Sequence, residues 1–378
     1  MGPQKISVIG GLDADLIMIA SRIPDHGESV LANEYLEALG GKGVNSAIAT
    51  YRTCHNKPKA PDSLLIPTEP TVHDFTATTN EQELTPALGQ LNLSDADIQV
   101  KMIGAVGDDR YGSRFIVELN KNGLDASGIV TVPNTRSSIC FVLVEHSTRE
   151  NRCLFTLGAT AMWKKNHFVS PEQLGGGVRP DLVVAQMDIH SEVVETMIGT
   201  AGRGGIEFCL NAAPAAPIGK RFYRYLTHLL VNESEAAIMS GRGTGEVNEE
   251  SWPVIAQEFL DRGVENVVIT LGAKGAFYAN SKGSGHCPAF KVKVEDTTGA
   301  GDTFTGAYAS DYLRQKATGN WDIRKAVVRA NKAAATTIQT VGAQDGISWA
   351  DEIDHFDALS TVPDFVWSSS TAGSASGA

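Results

Sequence analysis

The chain has 378 residues, 42% of them apolar, and a formal net charge of −12 without any Lys/Arg-rich run. That size and composition suit one large or two unequal globular domains, and the acidic balance leaves no electrostatic footprint for nucleic acid or an anionic membrane. No apolar run is long enough to cross a bilayer, and MGPQKISVIG has neither a basic leader nor a cleavable apolar segment, so a cytoplasmic protein acting on small molecules is expected. Cys54, Cys140, Cys153, Cys209 and Cys287 are odd in number and lack CxxC spacing, which argues against a disulfide framework and against a zinc site.

The first predicted strand, KISVIG, runs into GGLDAD, Gly10 to Asp15. This turn lacks the third glycine of a dinucleotide fingerprint and carries carboxylates where a pyrophosphate would approach, so a nicotinamide reading is weak. Asp13 and Asp15 at a strand end could accept hydrogen bonds from a polyol, or could simply form a solvated Asx turn. SVLANEYLEALGG reads as extended chain, and GGKGVNSAIA (40–49) as a glycine turn opening a helix near Val44. Lys42 and Asn45 would project from that helix's first turn beside free backbone N–H groups, although an ordinary capping turn explains the glycines equally well. Residues 54–97, with five prolines among polar residues and little periodicity, read as an insertion that is partly mobile or disordered.

From QVKMIGAV onward, short apolar runs alternate with helical patterns: a helix from about Tyr111 to Asn122, DLVVAQ with a helix after it, IEFCLNA, HLLVNE and NVVIT. Such alternation predicts a mostly parallel sheet covered by helices on both faces. The segment SSICFVLVEHSTRENRCLFTLG breaks the rhythm and, with SVLANEYLEALGG, predicts antiparallel strands set apart from the main sheet as a lid. In HLLVNESEAAIMSG, Asn232 and Glu235 fall at a strand's carboxyl end and in a helix's first turn. They either cap the helix or help hold a hydrated Mg²⁺ near phosphates. TLGAKGAFYA (270–279) reads as strand, glycine turn and strand, a hairpin or a surface for a nucleotide.

DTTGAGDTFTGAY then enters a helix with Phe304, Ala307, Tyr308 and Leu313 at helical spacing. The N–H groups of Gly299, Ala300 and Gly301 would converge with the positive end of the helix dipole to stabilise a transferring phosphoryl group. Asp302 in the same turn could take the proton of an attacking hydroxyl. The bland alternative, an aspartate that only stabilises its helix, leaves the flanking glycines and Asp296-Thr297-Thr298 unexplained. The final SSSTAGSASGA has nothing to bury and reads as a disordered tail.

In this order, GGKGVNSAIA, NESE and DTTGAGDTFTGAY resemble the signatures of the ribokinase-like, or PfkB, family of carbohydrate kinases, over roughly residues 5–357. The resemblance implies an α/β fold with a three-layer α/β/α core, a mostly parallel central sheet and a small β-sheet lid. One kinase domain would span 1–357, with lid strands within about 13–41 and 137–158, followed by a C-terminal segment at 358–378. It implies an ATP-dependent kinase with Asp302 as base and Gly299, Ala300 and Gly301 as anion hole. The implied sugar positions are Asp13, Asp15, Gly41, Lys42, Asn45 and Glu150. On the nucleotide side it implies Asn211, Asn232, Glu235, Thr270, Gly272, Gly275, Gly301 and Asn331. Asp296, Thr298, Thr337, Thr340, Gly342 and Gly346 match a site for a monovalent cation, K⁺, and Mg²⁺ would accompany ATP. The implied reaction is phosphorylation of O5 of D-ribose. The alternatives are another acceptor (fructose, a keto-deoxy sugar acid or a nucleoside) or a non-catalytic sugar-binding relative. There are two departures: Ala212 stands where many members have Pro, and Asp13 where many have Asn, an extra carboxylate that bears on which hydroxyls are preferred. Localisation would be cytoplasmic, with the nucleus open, and a homodimer through the lid is implied.

Overall fold

The computed structural model describes residues 2–58, 98–147 and 151–356. The proposed insertion, apart from 54–58, the C-terminal tail and Glu150 lie outside the described residues. The chain begins with β1 (Gln4–Ile9), β2 (Asp13–Ala20), β3 (Ala32–Gly40), α1 (Lys42–Cys54), β4 (Ile98–Gly107), α2 (Arg110–Lys121), β5 (Asp125–Val132), β6 (Ser138–Glu145) and β7 (Asn151–Thr156). It continues with β8 (Leu182–Ala185), α3 (Ser191–Gly204), β9 (Glu207–Asn211), β10 (His228–Asn232), α4 (Glu233–Ser240), α5 (Trp252–Asp261), β11 (Asn266–Thr270), β12 (Ala276–Asn280) and β13 (Gly283–Cys287). Helices α6 (Ala300–Ala317), α7 (Ile323–Thr337) and α8 (Ala350–Asp354) close it.

Nine strands form the main sheet in the order β13-β12-β11-β10-β9-β8-β1-β4-β5. It is parallel from β11 to β5, and β12 and β13 add an antiparallel edge. Side chains alternate across the pleat. Ile6, Val8, Leu182, Val184 and Val268 face a core shared with α1, α2, α6 and α7, while Ile9, Val183, Ala185, Val267 and Ile269 face one shared with α3, α4 and α5. Both faces are therefore dry, which explains the uninterrupted apolar runs of β8 and β11. Helix starts are set locally: Asp109 accepts from Tyr111 N and Gly112 N at the head of α2, a cap worth about 1 kcal/mol.

Four strands form a separate sheet in the order β3-β2-β6-β7. It is not wholly antiparallel as expected, because its central pair, β2 and β6, is parallel. The chain leaves this sheet after β3 and makes α1, β4, α2 and β5 before returning, so β6 enters from the same end as β2. Strand β5, DASGIVTV, was not anticipated, since its glycine and exposed polar residues weaken the apolar signal.

Helix α6 is buried on nearly all sides from Asp302 to Leu313, between α1 and α7. Gly306 makes the approach to α1 possible: a Cβ there would fall 2.4 Å from Thr50 N and 2.7 Å from Ala49 C. Thr53 and Ser310 hydroxyls hydrogen-bond across the same contact at 3.0 Å.

Candidate active site

Because β1, β8, β9, β10 and β11 are parallel neighbours, their carboxyl ends open at one edge of the sheet, the place where open α/β sheets bind ligands. Gly10-Gly11 follow β1, Asp188 follows β8, Asn211 and Asn232 end β9 and β10, and Thr270 ends β11. The first turns of α1 and α6 meet above these ends.

Asp302 is buried in the first turn of α6, where Gly299, with φ of 77°, is the N-cap. Its carboxylate accepts from Asn45 Nδ2 at 3.3 Å and Ser46 Oγ at 3.4 Å, both on α1. Burial raises its pKa above the ordinary 3.8, opposed by the charge of Lys42 and by the two hydrogen bonds. A carboxylate so placed is a stronger proton acceptor than a solvated one.

The N–H groups expected to converge at this turn are not all free. Ala300 N donates to Thr297 O at 3.3 Å, closing the 297–300 turn, and is a poorer anion donor than the sequence suggests. The first intrahelical bond is Thr303 N to Gly299 O, so Gly301 and Asp302 N–H have no intrahelical acceptor. Space above Gly301 is open: a Cβ there would meet nothing within 4 Å.

Asp13 is the first residue of β2 rather than part of a solvated turn, and Asp15 follows on the same face. Ser138 Oγ donates to Asp13 Oδ1. Burial raises the pKa of Asp13, offset by Ser138 and by Lys42. Asp15 is pushed up to about 7 by burial and by the charge of Asp13, against a hydrogen bond from Cys140.

Asp188 is a third carboxyl here, and no motif in the sequence points to it. Gly11 N donates to its Oδ2 at 2.9 Å, while its buried Oδ1 has no partner. Burial and the neighbouring Asp13 push its pKa to about 7, with Gly11 and Lys42 opposing. Its one sequence signal was positional, a carboxylate three residues past the end of a buried strand. Lys42, first residue of α1 after Gly41, is thus the cation among Asp13, Asp188 and Asp302.

Gly43 seats α1 on the β1 turn. A Cβ there would lie 2.4 Å from Gly10 C and 2.7 Å from both Gly10 Cα and Gly11 N. Gly43→Ala is expected to push α1 off this turn, costing ~1–3 kcal/mol and weakening ligand binding by Lys42 and Asn45. Thermal melts with and without sugar test this, and an unchanged ligand-induced shift would contradict it.

Toward the other strands, Asn232 and Glu235 form a reciprocal capping box, with Glu235 N to Asn232 Oδ1 and Asn232 N to Glu235 Oε2 both at 2.8 Å. Burial raises the Glu235 pKa, and Lys42 and Asp302 are close enough to influence it, so one carboxylate caps α4 and faces the site. Asn211 Nδ2 donates to Thr305 Oγ1 at 2.9 Å, and that hydroxyl to Gly301 O at 2.9 Å; Asn211 therefore supports the α6 turn directly. Thr270, Gly272 and Gly275 belong to the β11–β12 hairpin connection, and Asn331 on α7 donates to Cys287 O and Pro288 O at 3.3 and 3.4 Å.

The 296–298 segment and the end of α7 are joined by Gly342 N to Asp296 Oδ2 at 2.9 Å. Thr298 Oγ1 donates to Asp296 Oδ1 at 2.6 Å, and Thr337 is buried against Thr303. Thr340 and Gly342 lie in the turn after α7, and Gly346 packs its Cα against the Thr337 carbonyl. The donors available are a carboxylate, hydroxyls and chain carbonyls, all oxygens, which fits a hard cation. Among the described residues no group of three or more His, Cys, Asp or Glu could hold a metal ion, and no helix is long and apolar enough to cross a membrane.

Residues 88–350 match the pfkB family carbohydrate kinase profile, and the chain belongs to this family of ATP-dependent sugar kinases. It is similar to a ribokinase of Schizosaccharomyces pombe, 29% identical over 93% of this chain and 96% of that one. A deoxyribokinase of Salmonella typhi is 27% identical over 94% and 99% of the two chains. The crystal structure of a ribokinase from Thermotoga maritima superposes with a TM-score of 0.71 at 26% identity, covering 93% of this chain and 98% of that one.

Proposed function

We propose that the enzyme transfers the γ-phosphoryl group of ATP to the O5 hydroxyl of D-ribose, with Asp302 as the general base. The observation that carries this reading is the buried Asp302 carboxylate, in a helix's first turn, facing a cluster of carboxyls and one lysine at the strand ends. Sugar hydroxyls donate to Asp13, Asp15 and the unpartnered Asp188 Oδ1, while Lys42 and Asn45 hold the ring. The O5 proton passes to Asp302 as the O5–P bond forms; the bond from phosphorus to the β–γ bridging oxygen breaks, and ADP leaves. N–H groups of Gly301 and Asp302 and the α6 dipole stabilise the charge spread over the phosphoryl oxygens.

ATP lies toward the β10 and β11 ends, along Asn232, Thr270, the 272–275 turn and Asn331. Mg²⁺ supplies charge neutralisation at the phosphates, with Glu235 the carboxylate available to its water shell. Asp296, Thr298 and the carbonyls of 337–346 would hold K⁺, whose charge would steady the turn before α6. Because β2 carries Asp13 and Asp15, a bound sugar ties the small sheet to the main body and excludes water that would compete for the phosphoryl group. The exposed apolar side chains Leu36 and Phe155 share the Asp15 face of that sheet, and they are the surface through which two copies would pair.

An ADP-release assay over D-ribose, 2-deoxy-D-ribose, fructose, a keto-deoxy sugar acid and a nucleoside tests the acceptor. D-ribose is expected to give the highest kcat/KM. Chelation of Mg²⁺ abolishes the rate, and exchange of K⁺ for a larger organic cation lowers it. Preference for deoxyribose, the acceptor in the name of the Salmonella relative, would replace the ribose reading and leave the chemistry intact.

A further inference from the structure

Gln344, in the turn after α7, makes two hydrogen bonds that bear on the base. Its Nε2 donates to Leu39 O, at the end of β3, at 2.8 Å, and to Asn45 Oδ1 at 2.9 Å. The other side of the Asn45 carboxamide, Nδ2, donates to Asp302 Oδ2 at 3.3 Å.

The direction of every bond follows from one atom. A backbone carbonyl can only accept, so the Gln344 group facing Leu39 O must be its NH₂. The same NH₂ then demands an acceptor from Asn45, which turns Oδ1 toward Gln344 and Nδ2 toward Asp302. The Gln344 backbone is itself fastened: Arg52 Nη1 donates to Gln344 O at 2.9 Å and Ile347 O at 3.1 Å.

We propose that Gln344 is a positioning residue for phosphoryl transfer, holding the Asn45 carboxamide with its N–H side toward Asp302 and so keeping that carboxylate an ionised acceptor. This rests on the reading of Asp302 as the base. A flipped Asn45 would set a carbonyl oxygen against the carboxylate, an arrangement satisfied only when Asp302 is protonated and donates. The protonated acid cannot take the hydroxyl proton. The other groups facing Asp302 are Lys42 and Ser46 on α1, Asp188 after β8 and Glu235 on α4, and none of them can reverse the amide.

The test is kcat against pH for Gln344→Glu and Gln344→Met, each alone and in an Asn45→Ala background, with the best acceptor of the panel. In Gln344→Glu the carboxylate accepts from Asn45 Nδ2 and turns Oδ1 toward the base. The expected result is a fall in kcat of ~10-fold with the acid limb displaced to higher pH, and a smaller loss of ~3-fold for Gln344→Met. KM for ATP should stay within about twofold, and neither Gln344 change should move the acid limb further once Asn45 is Ala. An acid limb that stays in place in both Gln344 variants, or losses equal in both backgrounds, would overturn the proposal. Gln344→Met is near-isosteric and decides the question if the glutamate variant does not fold. Asp302→Asn run alongside separates the two readings: turnover at the wild-type rate would sink the base itself, whereas a dead Asp302→Asn with additive Gln344 and Asn45 losses sinks only the positioning role.

Discussion

Asp302→Asn is expected to lower kcat by ~10²–10⁴-fold, the contribution of a positioned general base, while leaving sugar binding measurable by thermal shift. The substitution keeps the volume of the side chain and its capacity to bond Ser46, but removes the site that receives the O5 proton. Geometry makes the loss specific. The carboxylate is anchored by two α1 side chains at 3.3 and 3.4 Å and has little freedom to be replaced by a neighbour. Asp188, a neighbouring carboxyl at this end, is held by Gly11 on the opposite, strand side. A variant with normal kcat and an unchanged pH profile would remove Asp302 from the chemistry altogether.

Asp188→Asn should make the ligand-free protein more stable and the enzyme worse. The Asp188 pKa is pushed up to about 7 from 3.8, because burial and Asp13 disfavour its charge. Below 3.8 the folded and unfolded chains both carry the proton, and wild type and variant should differ little. As pH rises the unfolded chain ionises first, and the preference of the folded state for the protonated form becomes a liability that is complete above about 7. The liability is on the order of a few kcal/mol, so the variant's Tm advantage should open between these two pH values and level off above them. Sugar affinity should fall at the same time, since the amide presents its NH₂ or a weaker acceptor where a hydroxyl needs the free Oδ1. Melting curves from pH 4 to 8 with and without sugar check both halves, and parallel curves for the two proteins would show that Asp188 does not carry its proton in the folded state.

What could be read in advance follows the range of the interactions involved. The glycine turns ahead of α1 and α6, and the Asn232–Glu235 pair, are short-range patterns whose geometry is largely determined within one turn of helix, so the sequence exposes them. The three-layer core was legible because burial of both sheet faces forces continuous apolar strands such as LVVA. Asp188 was not, because it reaches Gly11 only through the parallel pairing of β8 with β1, in which Ala185 lies opposite Ile9. Gln344 is 299 positions from the asparagine it orients, and no local periodicity encodes that meeting. The parallel β2–β6 pair was misread for a related reason: strand direction is set by the path taken between two strands, which their own residues do not record. Ala300 shows the converse limit, since a glycine turn announces a helix start but not which of its N–H groups the turn itself consumes.

The backbone contact at Gly306 has an implication for how such an enzyme can change. With the Thr53–Ser310 hydrogen bond it locks α1 and α6 into one unit, starting about one turn beyond the residues that would handle the proton and the phosphoryl group. Asp13 and Asp15 stand on a strand of the other sheet, outside that unit. Substitutions on β2 can therefore redraw the set of hydroxyls that is welcomed while the reacting groups keep their spacing. Selection for a new acceptor has a surface to work on that the chemistry does not share.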